Sequence, residues 1–181
     1  ENTVAFGGRS INDEKPKYIN SWENDIFKKR LVLYNLPSLN NIRSREENVY
    51  IVEGYTDVIA MESKGLKAVA PLGTSLTIDH FKLVWKFVNE PSLLMDGDDA
   101  GMKASSRALD IVMPALNGEN SLNFIFLEDG KDPDDLINNS NDKLLFSHIN
   151  NKQSFIEALF MFYGNEANLN SPERIINFKN K

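Results

Sequence analysis

The chain has 181 residues, a formal net charge of −6, 41% hydrophobic residues and 25% charged residues, which are ordinary values for one or two small globular domains. This composition excludes intrinsic disorder, collagen and coiled coil. No apolar run approaches the roughly 20 residues that span a bilayer, and the first residues do not resemble a signal peptide, so we expect a soluble protein with no membrane partner.

The residue types present restrict any metal site to oxygen ligands. The chain has no cysteine and two histidines, His80 and His148, which excludes a disulfide framework, a thiolate nucleophile and a zinc site. We expect both histidines at the protein surface. A bound metal must then be held by carboxylates, which favours Mg²⁺ or Mn²⁺ over zinc.

Charge is distributed unevenly along the chain. Residues 1–45 hold eight Lys and Arg against five Asp and Glu, whereas residues 46–181 hold twelve against twenty-one. A basic segment before an acidic body suits a protein that binds a phosphate backbone on one surface and cations on another. Random variation over a solvated surface is the alternative.

The first 45 residues show no clear periodicity. Gly7-Gly8 is predicted to form a turn that holds Arg9, and Lys28-Lys29-Arg30 by itself predicts only a solvated basic face. The chain begins at Glu1 rather than at a methionine, so we expect it to be a piece of a longer protein.

From Asn48 onward, short apolar runs alternate with longer segments of helical periodicity. The predicted strands are Val49–Val52, Ala68–Ala70, Ser92–Met95 and Leu122–Leu127. The predicted helices are one that Gly65 ends, one that Thr77 caps, one over Asp99–Met113 and one that Pro133 begins. This alternation predicts an α/β fold, with a parallel-rich sheet covered by helices on both faces.

After the last strand, only helical patterns follow. They cover about Asp142–Ile149 and Gln153–Tyr163, and a further helix begins at Ser171-Pro172-Glu173. The segment 155–162 is apolar almost all round, which is typical of a helix buried against another element. We therefore predict three parts: a partial basic subdomain over 1–45, the sheet domain over 46–140 and a partial helical subdomain over 141–181.

Acidic residues follow three of the four predicted strands. They are Glu53, the pair Asp96 and Asp98, and the run Asp132-Pro133-Asp134-Asp135. Because the carboxyl ends of parallel strands meet at one edge of a sheet, these carboxylates should converge there and favour a cation. Two plainer roles remain open. Asp98 and Asp132 can cap the helices that follow them, and an acid before glycine is also a turn signal.

These residues carry a resemblance to the Toprim domain and, more specifically, to bacterial DnaG-type primases. The Toprim motifs are Glu53-Gly54-Tyr55-Thr56-Asp57, Gly73-Thr74-Ser75 and Asp96-Gly97-Asp98-Asp99-Ala100-Gly101. The primase motifs include Phe6-Gly7-Gly8-Arg9, Pro16-Lys17-Tyr18-Ile19-Asn20-Ser21, Phe27-Lys28-Lys29 and Asp132-Pro133-Asp134. The resemblance covers nearly the whole chain. This sequence departs from the family pattern at two positions. It has Trp22 where the family often has proline, and Arg30 where the family often has glycine.

The resemblance implies two groups of site residues. Glu53, Asp96 and Asp98 would bind two or more catalytic Mg²⁺ or Mn²⁺ ions, with Asp57, Asp132 and Asp134 as further acidic members. Arg9, Lys17 and Lys29 would face the phosphates of template or nucleotide, with Tyr18 and Asn20 in the same strip.

The function implied is the synthesis of short RNA primers on single-stranded DNA from ribonucleoside triphosphates. In the whole family protein, zinc-binding and helicase-binding regions lie outside this chain, and the expected location is the bacterial cytoplasm at the replication fork. Two other classes stay open: a strand-cleaving Toprim nuclease or topoisomerase-like enzyme, and a non-catalytic nucleotide-binding module. We expect weak or no priming by the isolated chain.

Overall fold

The computed structural model describes residues 3–10, 18–128, 130–139 and 141–167. The strands are β1 (Gly7–Arg9), β2 (Tyr18–Asn20), β3 (Val49–Ile51), β4 (Lys67–Val69), β5 (Ser92–Met95) and β6 (Asn123–Phe126). The helices are α1 (Tyr55–Ser63), α2 (Ile78–Val84), α3 (Asp99–Val112), α4 (Pro133–Asn138), α5 (Asp142–Asn150) and α6 (Phe155–Ala167). Three short 3-10 helices cover Lys29–Leu31, Leu36–Asn41 and Met113–Ala115.

Four strands form one parallel sheet in the order β4-β3-β5-β6. These are the four strands that the sequence predicts, each within a residue or two of its expected bounds. The chain adds β4 on one side of β3 and then crosses to add β5 on the other side. The order of the strands therefore reverses between β3 and β5, and in open α/β sheets ligands bind beside such a point.

Alternate residues of the strands enter two separate cores, one on each face of the sheet. Val49 and Ile51 of β3 belong to the core that includes side chains of α2, α3 and α6. Tyr50 and Val52 point to the opposite core, which includes side chains of α1, α4 and α5. Strands buried on both faces need apolar residues at successive positions, which explains the continuous runs in the sequence. The predicted α/β fold with helices on both faces is confirmed.

The helix ends agree with the signals in the sequence. Gly65, just after α1, has a φ of 75°, a left-handed conformation that glycine adopts without a steric penalty. Thr77 caps α2 and accepts a hydrogen bond from the backbone N–H of His80. Pro133 is the first residue of α4, where its missing N–H leaves no intrahelical bond unmade.

The expectation that His80 lies at the surface is wrong, because the side chain is fully buried. Its Nδ1 accepts a hydrogen bond from the backbone N–H of Thr77, at 3.2 Å. With Nδ1 as acceptor, Nε2 carries the proton and donates to the backbone carbonyl of Lys29, at 2.9 Å. His80 thus ties the segment before the sheet to α2. His148, the other histidine, is partly buried on α5.

The predicted turn at Gly7-Gly8 is also wrong, because both glycines lie in β1. This strand pairs antiparallel with β2, with Gly7 opposite Asn20 and Arg9 opposite Tyr18. We call β1 and β2 together the N-terminal ribbon. A Cβ atom at position 7 would lie 2.9 Å from Asn20 Oδ1, so a larger residue there would require the Asn20 side chain to shift.

The C-terminal helices α5 and α6 occur where the sequence predicts them, and the helix expected from Ser171 lies outside the described residues. The expectation of complete burial for α6 holds for one side only. Phe155 and Ala158 are buried, whereas Ile156 is 58% exposed. Of the helices in the part of the chain that the structure describes, none combines the length and hydrophobicity that a bilayer span requires. The domain boundaries at residues 45 and 140 stay predictions.

Candidate active site

The site lies at the carboxyl ends of β3 and β5, where the strand order reverses. Glu53 follows β3 and Asp96 follows β5 directly. The backbone N–H of Asp96 donates a hydrogen bond to Glu53 Oε1 at 3.3 Å, so the two acids are held side by side. Because both strands are buried on both faces, the positions of these two residues are determined by the rigid centre of the sheet.

Two glycines allow the loops after β5 and β6 to touch. The backbone N–H of Gly97 donates to the carbonyl of Lys131 at 2.9 Å, and the N–H of Gly130 donates to the carbonyl of Gly97 at 2.7 Å. A Cβ atom at position 97 would lie 1.9 Å from the carbonyl oxygen of Glu128, and one at position 101 would lie 2.1 Å from that of Asp96. A side chain at position 97 would push these loops apart, whereas one at position 101 would clash with the backbone of Asp96 in the same loop. Gly97 thus lets the loop that carries the acids after β6 approach Asp96.

Asp57 joins the N-termini of α1 and α4. It is 5% exposed, its Oδ2 accepts a hydrogen bond from the backbone N–H of Gly54, and its Oδ1 accepts one from the N–H of Asp134. Carboxylates are favourable at helix N-termini, where backbone N–H groups point outward. Asp57 is therefore placed beside the α4 acids by its own hydrogen bonds.

Asp98 and Asp132 both act as helix caps, the plainer role that the sequence left open. Asp98 Oδ1 accepts from the N–H of Gly101 at 2.7 Å, and Asp132 Oδ1 accepts from the N–H of Asp135 at 2.6 Å. Each cap uses one carboxylate oxygen. Capping and cation binding are therefore compatible for both residues.

The carboxylates are electrostatically unfavourable as they stand. Burial, followed by the charge of Glu53 and of its other acidic neighbours, raises the pKa of Asp96 to about 8. Burial and the charge of Asp132 raise the pKa of Asp57 to about 6. Burial also raises the pKa of Glu53, although the hydrogen bond from Asp96 acts in the opposite direction. At neutral pH the Asp96 carboxyl therefore tends to keep its proton.

A cavity of about 200 Å³ joins these acids to the N-terminal ribbon. Its lining includes Glu53, Asp57, Asp96, Asp132, Tyr18 and Asn20. Four of the six predicted metal ligands therefore border one cavity, together with two of the five predicted template residues. Asp98 lies at the exposed end of the group, close enough to raise the pKa of both Glu53 and Asp96.

Asp134, the sixth predicted ligand, contacts the ribbon. Its Oδ2 lies 3.5 Å from the guanidinium of Arg9, and its Oδ1 accepts a hydrogen bond from Asn138. Arg9 also lies over the Tyr18 ring, 5.7 Å from its centre. The structure thus brings a predicted phosphate-binding residue and a predicted metal ligand into contact.

The donor atoms of the site fit a hard divalent cation. All are oxygens, and Asp96 Oδ1 is buried without a hydrogen-bond partner among the described residues. As the side chains are placed, no group of three or more acidic or histidine residues in the described ranges surrounds a single point in the manner of a complete metal site. Glu53 and Asp96 are adjacent, and Asp98 is near enough for its charge to act on both.

The remaining template candidates are placed differently from one another. Tyr18 and Asn20 face the cavity, and Asn20 Oδ1 is buried without a hydrogen-bond partner among the described residues. Lys29 lies on the 3-10 helix beside α2, and its ammonium makes no hydrogen bond or ion pair within the described part of the chain. Lys17 lies outside the described residues.

Tyr55 and Thr56 were missed as site residues by the sequence reasoning. The Tyr55 hydroxyl donates to the carbonyl of Gly8 at 2.7 Å, and the hydroxyls of Thr56 and Tyr18 lie 3.0 Å apart. These contacts hold the N-terminal ribbon against the N-terminus of α1. Both residues lie inside the Glu53–Asp57 motif, and this position is the feature of the sequence that could have identified them as site residues.

Comparisons with known proteins agree with these features. Residues 50–137 match the family model of Toprim-like domains, and residues 1–40 match that of the N-terminal domain of the DNA primase catalytic core. The DNA primase of Rickettsia prowazekii is 36% identical over 177 residues, which are 97% of this chain and 30% of that protein. The DNA primase of Escherichia coli K12 is 36% identical over 171 residues, which are 94% of this chain and 29% of that protein.

Solved structures show the same likeness. A crystal structure of a DNA primase domain from Pseudomonas aeruginosa superposes with a TM-score of 0.85 at 36% identity, covering 97% of this chain and 55% of that one. A DnaG primase catalytic domain bound to single-stranded DNA gives a TM-score of 0.83 at 35% identity, covering 94% and 54%. The chain thus spans about a third of its curated relatives and about half of these structures. It belongs to the DnaG-type primase family, as a Toprim-containing part of the catalytic core.

Proposed function

We propose that this chain carries the nucleotidyl-transfer centre of a DNA primase, which synthesises short RNA primers on a single-stranded DNA template. In this reaction a 3′-hydroxyl attacks the α-phosphate of a ribonucleoside triphosphate and pyrophosphate departs. The observation that carries the proposal is the cluster of Glu53, Asp57, Asp96 and Asp132 in one cavity, with raised pKa values at its buried members.

The carboxylates act by holding cations. Glu53, Asp96 and Asp98 would hold Mg²⁺ or Mn²⁺, two or more ions, with Asp57, Asp132 and Asp134 as further acidic members. Bound ions would lower the pKa of the attacking hydroxyl and neutralise charge on the phosphates. Burial and neighbouring charge raise the pKa of Asp96, so cation binding there competes with protonation of the carboxyl.

The ribbon residues would position the phosphates of template and nucleotide. Arg9, Lys17 and Lys29 supply cationic groups, and Tyr18 and Asn20 border the acidic cavity from the opposite side. Contacts to phosphates orient the nucleic acid without reading its bases. A related catalytic domain has been solved with single-stranded DNA, which supports this role for the fold.

The two alternative functions are less well supported. A Toprim nuclease or topoisomerase-like enzyme would use the same acids, but it gives no reason for the N-terminal ribbon that packs on them. The match of residues 1–40 to a primase-specific domain favours primer synthesis over strand cleavage and over a non-catalytic nucleotide-binding module. We further propose action in the bacterial cytoplasm at the replication fork, with the replicative helicase contacted by a region outside this chain.

The test is an incubation of residues 1–181 with single-stranded DNA, labelled ribonucleotides and Mn²⁺ or Mg²⁺. We expect a low yield of short, template-dependent RNA, which Asp96→Asn abolishes. Asp135→Asn is the matched control, because this exposed side chain makes no hydrogen bond or ion pair in the described part of the structure. Metal-dependent cutting of end-labelled DNA, lost in Asp96→Asn, would instead establish the strand-cleaving alternative.

A further inference from the structure

His80 makes two hydrogen bonds that serve different parts of the fold. Its side chain is fully buried in the first turn of α2. Nδ1 accepts from the backbone N–H of Thr77 and completes the cap of this helix, whereas Nε2 donates to the backbone carbonyl of Lys29 at 2.9 Å. The first bond serves α2 alone. The second holds a residue that lies 51 positions earlier in the chain.

The cap of α2 does not by itself require a histidine. His80 is the third residue of the helix, a position where Glu or Gln usually returns a hydrogen bond to the capping residue. In α1 the shorter side chain of Asp57 does the same for Gly54. A carboxylate at position 80 can therefore complete the cap, but it has no donor for the Lys29 carbonyl. The imidazole ring supplies an N–H group that the cap does not need.

Thr77 holds the same segment by a second bond. Its hydroxyl donates to the backbone carbonyl of Arg30 at 3.3 Å, next to the carbonyl that His80 bonds. Two consecutive carbonyls of the 3-10 helix Lys29–Leu31 are thus bonded by side chains at the N-terminus of α2. The backbone at Lys29 is therefore held in place by α2.

The N-terminus of α2 lies near the acidic cavity. Gly73 lines that cavity four residues before Thr77, so the two residues are at most about 14 Å apart. A Cβ atom at position 73 would lie 2.6 Å from Nδ2 of Asn20, so the same loop also contacts the N-terminal ribbon. The Lys29 ammonium makes no hydrogen bond or ion pair with the residues that the structure describes. A cationic group available to an anion is thus held near the border of the site.

We propose that His80 is a positioning residue for Lys29: its Nε2–H group, assisted by the Thr77 hydroxyl, fixes the backbone from which the Lys29 ammonium reaches a phosphate of the template. This inference rests on the proposed function, which assigns Lys29 to phosphate binding. Without the two bonds the 3-10 helix can move away from α2, and the ammonium spends less time beside the phosphate. His80 itself contacts no substrate.

The experiment separates the two bonds of His80. In His80→Asn the short amide still accepts from Thr77, as Asp57 does for its own cap in α1, but the Lys29 carbonyl loses its donor. His80→Gln retains both an acceptor and a donor. Binding of a labelled single-stranded oligonucleotide to residues 1–181 is measured by fluorescence anisotropy between 50 and 200 mM salt.

We expect His80→Asn to lose several-fold in affinity, whereas His80→Gln should bind nearly as tightly as wild type. The slope of log K against log salt should fall in His80→Asn by up to about 0.7, the value for one phosphate contact. In a Lys29→Gln background, His80→Asn should cause no further loss, because its effect acts through the Lys29 ammonium.

Trp85→Phe is the matched control for a general loss of structure. It removes another ring N–H bond of α2, the one from Trp85 to the Ser121 carbonyl at 2.9 Å, and should leave the slope unchanged. If His80→Asn does not fold, Thr77→Asp takes its place in the comparison with Lys29→Gln. Aspartate keeps the helix cap but has no hydroxyl to donate to the Arg30 carbonyl.

The possible outcomes separate this inference from the proposed function. Unchanged binding in His80→Asn, or an equal loss with and without Lys29→Gln, would show that His80 is only structural and would overturn the inference alone. Wild-type binding by Lys29→Gln, or no binding by any variant, would overturn the phosphate contact of Lys29 together with the inference. The carboxylate centre is tested separately, by the loss of priming in Asp96→Asn.

Discussion

The acids of this site differ in burial and in the bonds that they already make. Asp98 and Asp132 bond helix N-termini, whereas Asp96 has a buried oxygen with no partner among the described residues. The pKa of Asp96 rises to about 8, first because of burial and then because of neighbouring charge. Of the strand-end acids, Asp96 is therefore the one whose ionisation costs the folded protein most.

Neutralising Asp96 should stabilise the metal-free protein. We expect Asp96→Asn to unfold at a higher temperature than wild type in chelator, by the equivalent of about 1 kcal/mol, because the wild-type carboxyl must either ionise among like charges or take up a proton that the unfolded chain lacks. Cation binding should raise wild-type stability by roughly 1.4 kcal/mol at ten times Kd, and Asp96→Asn should lose this gain. Thermal melts with and without Mg²⁺, at matched ionic strength, measure both effects.

Asp135→Asn, which removes an exposed acid of α4, is the control for a general charge effect. If Asp96→Asn unfolds at a lower temperature than wild type in chelator, and Mg²⁺ raises the unfolding temperature of both proteins equally, then Asp96 is a structural turn residue.

The stability of the metal-free protein should fall as the pH rises from about 5 to about 8. The pKa of Asp96 moves from an ordinary 3.8 to about 8 on folding, so in this range the folded protein keeps a proton that the unfolded chain has lost. Asp57, with a pKa of about 6, acts in the same direction in the lower part of the range. The free energy of unfolding decreases wherever the folded state binds more protons.

Urea unfolding of wild type and Asp96→Asn in chelator, from pH 5 to pH 9, measures this effect. The advantage of the variant should grow with pH and level off above about 8. Parallel profiles for the two proteins would show that Asp96 titrates alike in the folded and unfolded states.

Among the elements, α3 contributes to the site through its N-terminus. Asp98 caps this helix through the N–H of Gly101, and Gly101 in turn packs against the backbone of Asp96. The side chain that caps the helix is thus also the predicted metal ligand. Substitutions that keep or remove the cap can separate the two roles.

We expect Asp98→Ala to destabilise the protein by about 1 kcal/mol, and Asp98→Asn to leave its stability nearly unchanged, because asparagine caps helices as well as aspartate does. Both variants should weaken Mn²⁺ binding, since neither retains the carboxylate. Chemical denaturation and Mn²⁺ titration of the two variants provide the measurements. If Asp98→Asn bound Mn²⁺ as tightly as wild type does, Asp98 would act as a helix cap and not as a metal ligand.

At the scale of the whole molecule, the N-terminal ribbon packs against the acidic end of the sheet. Tyr55 contacts Tyr18, with ring centres 5.0 Å apart, and Arg9 reaches Asp134. Positive and negative groups therefore lie close together, although the chain as a whole carries a net charge of −6. Binding of nucleic acid should be weak and should depend on the local cations.

We predict feeble binding of single-stranded DNA that weakens as the salt concentration rises, because the contacts are to phosphates. Arg9→Gln should lower the affinity and reduce the slope of log K against log salt by about 0.7 if one phosphate contact is lost. Fluorescence anisotropy of a labelled oligonucleotide between 50 and 200 mM salt tests this. Arg43→Gln, an exposed cation before the amino end of β3, is the control and should leave the slope unchanged.

Local patterns predict most of the elements of this protein. The apolar runs of β3 to β6, the cap at Thr77, and Pro133 at the start of α4 are determined by neighbouring residues, so the sequence alone indicates them. The same holds for the acids after β3, β5 and β6, because parallel strands must bring their carboxyl ends to one edge. The order of strands and helices therefore implied an acidic site before any distance was known.

Only the tertiary structure decided which of these residues meet. The bond from Tyr55 to Gly8 joins residues 47 apart in the chain, that from His80 to Lys29 joins residues 51 apart, and that from Arg9 to Asp134 joins residues 125 apart. The hydrophobic periodicity of the sequence does not predict these pairings, because each depends on how whole elements pack against one another. For the same reason, sequence patterns predicted His80 at the surface and a turn at Gly7-Gly8, and could not reveal the cavity between the acids and the N-terminal ribbon.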